Sequence, residues 1–65
     1  MKKEVKKLFI ELYKVTKAIE ENPDPIYYWE VANELIEKIE KQNKQLKDKE
    51  IESLLNTYKR WLNRI

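Results

Sequence analysis

The stretch Glu21–Glu30, ENPDPIYYWE, holds both prolines of a chain that contains no glycine. Proline disfavours the α conformation in the residue before it, which excludes Asn22 and Asp24 from a continuous helix. We therefore expect one helix to end before these prolines and another to begin with them. Asp24 is the predicted N-cap of the second helix, because its carboxylate can accept from free backbone N–H groups. Pro25 is its predicted first residue, where a missing N–H has no consequence.

Apolar residues on both sides of this corner recur every three or four positions, the spacing of an amphipathic helix. No segment alternates with a period of two, so no strand is expected. The pattern predicts helices at about 3–21, 25–43 and 48–64. Both links are short, which favours neighbouring helices that run in opposite directions. The expected fold class is all-α, an up-down-up antiparallel three-helix bundle forming one domain.

The apolar stripes of these helices also define the expected core, with Thr16 inside the first stripe. The predicted core residues are Val5, Leu8, Phe9, Leu12, Val15, Ile19, Tyr28, Ala32, Leu35, Ile36, Ile39, Ile51, Leu54, Leu55, Tyr58, Trp61, Leu62 and Ile65. At the second corner we expect Asn43 to take the left-handed C-cap conformation. Asp48 is the predicted N-cap of the third helix, with Glu50 in its first turn.

The bulky run from Ile26 to Trp29 cannot face one way, because each helical residue turns the chain by about 100°. Tyr28 is expected to point into the core and Trp29 to lie at its edge, above Ile36. Tyr27 is then exposed, and Ile26 is expected to close the end of the bundle.

Composition argues against catalysis and metal binding. The chain of 65 residues has no cysteine and no histidine, so the usual zinc and copper ligands, thiol nucleophiles and imidazole bases are missing. Ser53 is the only serine, and no base is expected near it. We therefore expect no enzymatic activity, no metal and no cofactor.

The charge and hydropathy of the chain bear on its partners and location. The formal net charge is +2, from 14 basic and 12 acidic residues, which is too balanced to indicate nucleic acid. No apolar run approaches the roughly 20 residues that a membrane span needs. Glu4 and Glu11 interrupt what would be a signal peptide. We expect a soluble monomer without a targeting segment, whose location the sequence leaves open.

The outer face of the first helix is basic, with Ile10 almost opposite the core stripe. The lysines around it are Lys3, Lys6, Lys7, Lys14 and Lys17. One interpretation is a solvated face with a single exposed isoleucine, which is ordinary for soluble proteins. The other is an acidic partner, either a protein with an apolar socket for Ile10 or a phosphate backbone. Nucleic acid is not the expected partner, because such binding usually has more arginine and a larger charge excess.

Aromatic residues make up 11% of the chain, more than a small bundle can enclose. They either widen a small core or serve as binding anchors, a common role for Trp and Tyr at a boundary. Phe9, Ile10 and Tyr13 form the sharpest candidate epitope on one helix face. The full set of candidate binding residues is Lys6, Phe9, Ile10, Tyr13, Lys14, Lys17, Tyr27, Trp29, Ile36 and Trp61.

As a whole the chain resembles a de novo designed three-helix miniprotein. The features are the NPDP corner, aspartate at both interior N-caps and the absence of Gly, His and Cys. A ladder of Glu-to-Lys pairs on the second helix adds to them: Glu34–Lys38, Glu37–Lys41 and Glu40–Lys44. The resemblance covers all 65 residues but lies in the general pattern rather than in a specific motif.

This resemblance implies an artificial scaffold or a binder of one protein partner through a helix face. Crowded N-terminal lysines, scarce alanine and free use of Asn and Gln depart from the designed pattern. They suit the alternative, a natural nucleic-acid-binding or regulatory bundle that uses the basic face of the first helix.

Overall fold

The computed structural model describes residues Lys2–Arg64 and contains three α-helices in that range. The helices are α1 (Lys3–Glu21), α2 (Ile26–Leu46) and α3 (Lys49–Arg64). Residues 2–64 include no strand, so the all-helical prediction is confirmed for the described chain. None of these three helices is both long enough and apolar enough to cross a membrane.

The first corner ends α1 where the prolines predicted. Asn22, which precedes Pro23, is extended (φ −102°, ψ 138°) and caps α1 from outside the helix. Its backbone N–H and its side-chain Nδ2 both donate to the carbonyl of Ala18, at 3.1 and 2.7 Å. Asn22 therefore satisfies an end carbonyl of α1 without a left-handed residue.

The start of α2 differs from the prediction by one residue. Pro25 is the N-cap, with φ −88° and ψ 11°, and its carbonyl accepts from the N–H of Trp29 at 2.9 Å. Ile26 is therefore the first helical residue. Asp24 lies one position too early to act as the N-cap, and no side chain caps this end of α2. The prediction of an aspartate cap here was wrong.

The second corner lies three residues later than predicted. Helix α2 continues to Leu46, and Lys47, not Asn43, takes the left-handed conformation (φ 51°, ψ 40°). Asn43 acts from inside the helix: its carbonyl accepts from Lys47 N at 2.7 Å, and its side-chain Oδ1 accepts from Asp48 N at 2.9 Å. Leu46 packs against the core, so the additional turn buries apolar surface.

Asp48 caps α3 as predicted. Its side-chain Oδ1 accepts from the backbone N–H of Glu50 at 2.9 Å, which is the N-cap geometry. Its carbonyl accepts from Glu52 N at 3.1 Å, so the helix begins at Lys49. The acidic side chains of Glu50 and Glu52 then lie in the first turn, near the positive end of the helix dipole.

The buried core draws on all three helices. Its members are Val5, Phe9, Leu12, Ile19, Ala32, Leu35, Ile36, Ile39, Ile51, Leu55 and Leu62. Thr16 is also buried, and its hydroxyl donates to the carbonyl of Tyr13 at 2.7 Å. Leu54 differs from the core prediction, because it is 36% exposed, whereas Ile36 is buried as that prediction expected. Ile65 lies outside the described residues.

Helix α2 is the central element of the packing. It approaches both α1 and α3 closely, whereas no Cα atoms of α1 and α3 within residues 2–64 lie within 8 Å of each other. The cross-section is correspondingly unequal, with extents of 21 and 14 Å across the long axis. The axes of packed helices usually lie 8–10 Å apart. Since α1 and α3 each come closer to α2 than to one another, they are spread around it.

The ladder of Glu-to-Lys pairs predicted along α2 does not form ion pairs. The one ion pair among residues 2–64 joins Glu40 Oε1 to Lys59 Nζ at 3.0 Å and links α2 to α3. Glu40 is thus paired with α3 rather than with Lys44. Exposed pairs within one helix contribute little, because solvent screens them and holding two long side chains lowers their entropy.

Leu54 and Leu55 provide a direct test of the core. Leu55→Ala removes a side chain that is 4% exposed and should lower the free energy of unfolding by about 2–5 kcal/mol. Leu54→Ala removes a partly solvated side chain and should lower it by about 1 kcal/mol. Urea unfolding monitored by circular dichroism measures both. If Leu55→Ala unfolds the chain, Leu55→Val should still lower the free energy of unfolding more than Leu54→Val does. Equal losses of stability at the two positions would contradict this core.

The two corner aspartates should respond differently to the same substitution. Asp48→Ala removes a hydrogen-bonded cap and should destabilise the protein by about 1 kcal/mol. Asp24→Ala removes no cap of α2 and should change the free energy of unfolding by less than about 0.5 kcal/mol. Thermal melts of the two variants make the comparison. A larger loss of stability for Asp24→Ala than for Asp48→Ala would support Asp24 as the cap of α2.

Candidate protein-binding groove between α1 and α3

The spread between α1 and α3 leaves an open groove with a cavity volume of about 260 Å³. Three residues from each helix line it: Tyr13, Thr16, Glu20, Thr57, Tyr58 and Trp61. The lining is mostly apolar, and two aromatic side chains of α3 form one wall. Tyr13, which is 53% exposed, stands on the α1 side.

A stacked pair of rings connects α1 to α3. The ring centroids of Phe9 and Tyr58 are 6.2 Å apart, with an angle of 26° between the ring planes. The pair bridges the two helices, and Tyr58 carries it into the groove lining. Phe9 is itself only 9% exposed. Its prediction as a surface anchor was therefore wrong, and it supports the groove from within the core.

The threonine hydroxyls of the groove are already hydrogen-bonded within their own helices. Thr16 donates to the carbonyl of Tyr13 at 2.7 Å, and Thr57 donates to the carbonyl of Ser53 at 3.1 Å. No buried side-chain nitrogen or oxygen lacks a partner in the described range. The groove therefore does not require a polar ligand to satisfy it.

The Tyr58 hydroxyl is uncharged at neutral pH. Burial raises the pKa of Tyr58 above its ordinary value of 10.0, and the nearby Tyr13 phenolate would raise it further. Both effects disfavour the anionic form, the first by desolvation and the second by like-charge repulsion. The aromatic wall thus remains neutral and apolar across the physiological range.

The rim of the groove is predominantly basic. On α1 the residues Lys6, Ile10, Tyr13 and Lys17 follow one another at steps of four, three and four, so they form one ridge beside the groove. The ammonium of Lys17 lies 5.6 Å from the centroid of the Tyr13 ring, within the range of a cation–π contact.

On α3 the exposed Arg64 follows Trp61 by one turn and Arg60 follows Thr57 by one turn, which places both arginines on the groove flank of the helix. Glu20 is the single carboxylate in the groove lining. The same spacing places two more carboxylates on these flanks, because Glu21 follows Lys17 by four residues and Glu50 precedes Thr57 by seven. Four basic groups against these two and Glu20 leave the rim with a small positive excess.

The candidate residues predicted from sequence fall into separate surfaces. Tyr13 and Trp61 line the groove, with Lys6, Lys17 and the half-exposed Ile10 on the adjoining ridge. Lys14 is exposed, but it lies one residue beyond Tyr13 and so about 100° further around the helix.

The start of α2 forms a second apolar surface, which does not line the groove. Ile26 and Tyr27 are 66% and 69% exposed, and Trp29 is 37% exposed. Ile26 does not close the end of the bundle, so that prediction was wrong. Tyr28 is partly buried, and its ring meets that of Tyr27 edge-on at 5.3 Å. Ile36 is buried in the core and is not accessible to a partner, which corrects its assignment as a binding residue.

Sequence reasoning missed four of the groove residues as surface candidates. Thr16 and Tyr58 were assigned to the core, while Glu20 and Thr57 were not singled out. The only local signal was the spacing of Thr57 and Trp61, which lie one turn apart on α3. Their approach to α1 depends on tertiary packing, which periodicity does not report.

The described residues contain no group of three or more His, Cys, Asp or Glu side chains arranged to hold a metal ion.

Comparison of the chain with protein-family models, curated proteins and solved structures finds no match. The geometry and charge of the groove are thus the basis for a functional proposal.

The raised pKa of Tyr58 predicts a loss of stability in alkali. Above pH 10 an unfolded tyrosine ionises, whereas the partly buried Tyr58 holds its proton to higher pH, so unfolding releases a proton. The free energy of unfolding should then fall as the pH rises from about 10 through the folded pKa. Tyr58→Phe removes this contribution and leaves the ring in place.

Urea unfolding of both proteins between about pH 8 and pH 11.5 measures the effect. We expect the wild-type protein to lose stability relative to Tyr58→Phe only above about pH 10. Two curves that stay parallel over the whole range would contradict the raised pKa.

Proposed function

We propose that this chain is a non-catalytic, monomeric three-helix bundle that binds a protein partner through the groove between α1 and α3. The observation that carries the proposal is the aromatic-walled, apolar groove bounded by Tyr13 and Trp61. Side chains of these two types at partly buried positions are the commonest interface anchors. A helix that lays its apolar face into such a groove is a recurrent mode of peptide recognition.

The proposed topology is up-down-up, with neighbouring helices antiparallel. The start of α1, at Lys2 and Glu4, shares a cleft with Gln45 and Leu46 at the end of α2. Between α2 and α3 the order also reverses, because Glu40 pairs with Lys59 and a cleft joins Asn43 to earlier residues of α3. These juxtapositions support the antiparallel arrangement, in which α1 and α3 run the same way along the groove.

The size of the groove favours inserted side chains over a small-molecule ligand. Its volume of about 260 Å³ lies below the 300–1,000 Å³ typical of ligand pockets. Its threonine hydroxyls donate within their own helices, and Tyr58 is neutral. An apolar side chain from a partner would therefore displace water without leaving either threonine hydroxyl unpaired.

We also propose an artificial origin, as a scaffold built to present this surface or as a binder of one target. The support is the resemblance to designed miniproteins, carried by the NPDP corner, the Asp48 cap and helices without Gly, His or Cys. A bare scaffold is the limiting case in which the groove has no cognate partner.

The runner-up function is nucleic-acid binding by a natural protein through the basic face of α1. One observation favours it: among residues 2–64 only Lys59 forms an ion pair, which leaves Lys6, Lys14 and Lys17 accessible to phosphates. Such binding would weaken steeply with added salt, whereas contacts made by apolar anchors would change little.

Selection from a displayed library of helical peptides, with all surface positions randomised, tests the proposed function. We expect the recovered peptides to shift the amide NMR signals of Tyr13, Thr57 and Trp61. Thr57→Arg places a long charged side chain in the groove and should weaken these peptides at least about tenfold. Asn63→Arg is the matched control, because Asn63 is exposed on the same helix but outside the groove lining. The selected peptides should bind this variant as tightly as they bind the wild-type protein.

Peptides that map to Ile26 and Tyr27, or a selection that yields no groove binder, would overturn the proposed site. Thermal melts of both arginine variants serve as a folding check, since Thr57 and Asn63 are exposed and neither change should disturb the core.

A further inference from the structure

We infer that the partner segment suited to the groove is an acidic amphipathic helix, with apolar side chains along one stripe and carboxylates on both sides of it. This inference rests on the proposed binding function and names the chemistry of the partner. It follows from the charge of the rim, the length of the groove and the apolar character of its lining.

The rim supplies positive charge on both helices. The basic groups are Lys6 and Lys17 on α1 and Arg60 and Arg64 on α3. None of the four is in an ion pair with another residue of the range 2–64, and all are exposed. An approaching carboxylate therefore displaces no existing ion pair. Arginine also offers a planar fork of donors that can bind a carboxylate in a bidentate way.

Glu20 opposes this complementarity and must be counted against it. Its carboxylate lines the groove on the α1 side and would repel an acidic partner. With Glu21 and Glu50 it makes three carboxylates against the four basic groups of the rim, so the net charge around the groove remains weakly positive. The same residue therefore provides a sign test, because neutralising Glu20 should strengthen an acidic partner's binding and weaken a basic partner's.

The length of the groove matches about two turns of helix. Tyr13 and Glu20 are seven residues apart on α1, which corresponds to about 10 Å along the axis. Two apolar side chains spaced three or four residues apart on a partner helix are about 5–6 Å from each other. Both fit within the groove, while charged neighbours on the partner reach outwards to Lys17 and Arg64.

The apolar lining decides where the partner's charges must lie. Both threonine hydroxyls already donate within their helices, which leaves only the tyrosine hydroxyls and the Trp61 indole N–H as donors in the lining. A carboxylate inserted into the groove would therefore exchange its water shell for few donors. Carboxylates are favoured only at the rim, where solvent and the basic side chains remain. This arrangement distinguishes a helix with an apolar stripe from a nucleic acid, whose phosphates would use the rim and leave the groove empty.

A second copy of this chain is the main competitor for the groove. The first half of its α2 carries the exposed Ile26 and Tyr27 together with Glu30 and Glu34, and no basic residue precedes Lys38 in this helix. That face offers chemistry similar to the inferred partner's, so the sedimentation measurement below separates self-association from binding of another chain.

Two synthetic helical peptides test the partner's chemistry directly. Both carry two leucines four residues apart on an alanine-based helix; the flanking positions are glutamate in one peptide and lysine in its twin. Fluorescence anisotropy of each labelled peptide, titrated with the protein in 20 mM salt, measures its Kd. We expect the glutamate peptide to bind at least about tenfold more tightly, and the difference to shrink in 300 mM salt.

Charge variants of the protein complete the test. Lys17→Glu combined with Arg64→Glu should weaken the glutamate peptide at least about tenfold, and Glu20→Gln should strengthen it. Lys38→Glu combined with Lys41→Glu makes the same charge change on the exposed face of α2 and should leave the affinity within about twofold.

Equal affinity for the two peptides, or preference for the lysine twin, would overturn the acidic partner but leave the proposed groove function intact if both peptides shift Tyr13 and Trp61 signals. Failure of both peptides and of the library selection would overturn the two proposals together. Sedimentation that shows a dimer broken by Thr57→Arg would assign the groove to a second copy. A labelled oligonucleotide that displaces the glutamate peptide without shifting the Trp61 signal would assign the rim to phosphates.

Discussion

The stacked rings of Phe9 and Tyr58 are the aromatic contact that joins α1 to α3. Each ring packs with the core from its own helix, while no Cα atoms of α1 and α3 among residues 2–64 lie within 8 Å of each other. Side chains rather than close backbones therefore connect the two helices, and Tyr58 belongs both to this contact and to the groove lining.

Stability and binding draw on the same side chains in a protein of this size. A chain of 65 residues buries only about 60% of its unfolded surface, so it cannot reserve aromatic residues for the core alone. Trp61 is partly buried against the core and also lines the groove. Widening a small core and presenting binding anchors are therefore not exclusive roles. Ile26 and Tyr27 lie outside this groove, and their exposed side chains contribute little to the core.

Local patterns predicted the helices well where the signal was confined to neighbouring residues. Pro23 ended α1 through Asn22, and Asp48 capped α3 through a contact two residues away. The errors arose at the two ends of α2, where neighbouring residues offer more than one position for the helix boundary. At the end of α2, burial of Leu46 extended the helix, so Lys47 took the left-handed position. At the start of α2, the carbonyl of Pro25 became the first acceptor, which left Asp24 outside the helix.

The amino-acid sequence by itself determined three amphipathic helices, the position of the first corner and most of the core, because these follow from periodicity and from backbone restriction by proline. It did not determine which edge residues would be covered. Leu54 and Ile36 both lie at the edges of their stripes, yet the first is 36% exposed and the second 3%. That difference depends on where the neighbouring helix lies. Only the tertiary structure decided that Ile36 is enclosed and that Tyr13 faces Trp61 across a groove, because both follow from distances between helices rather than from spacing along one.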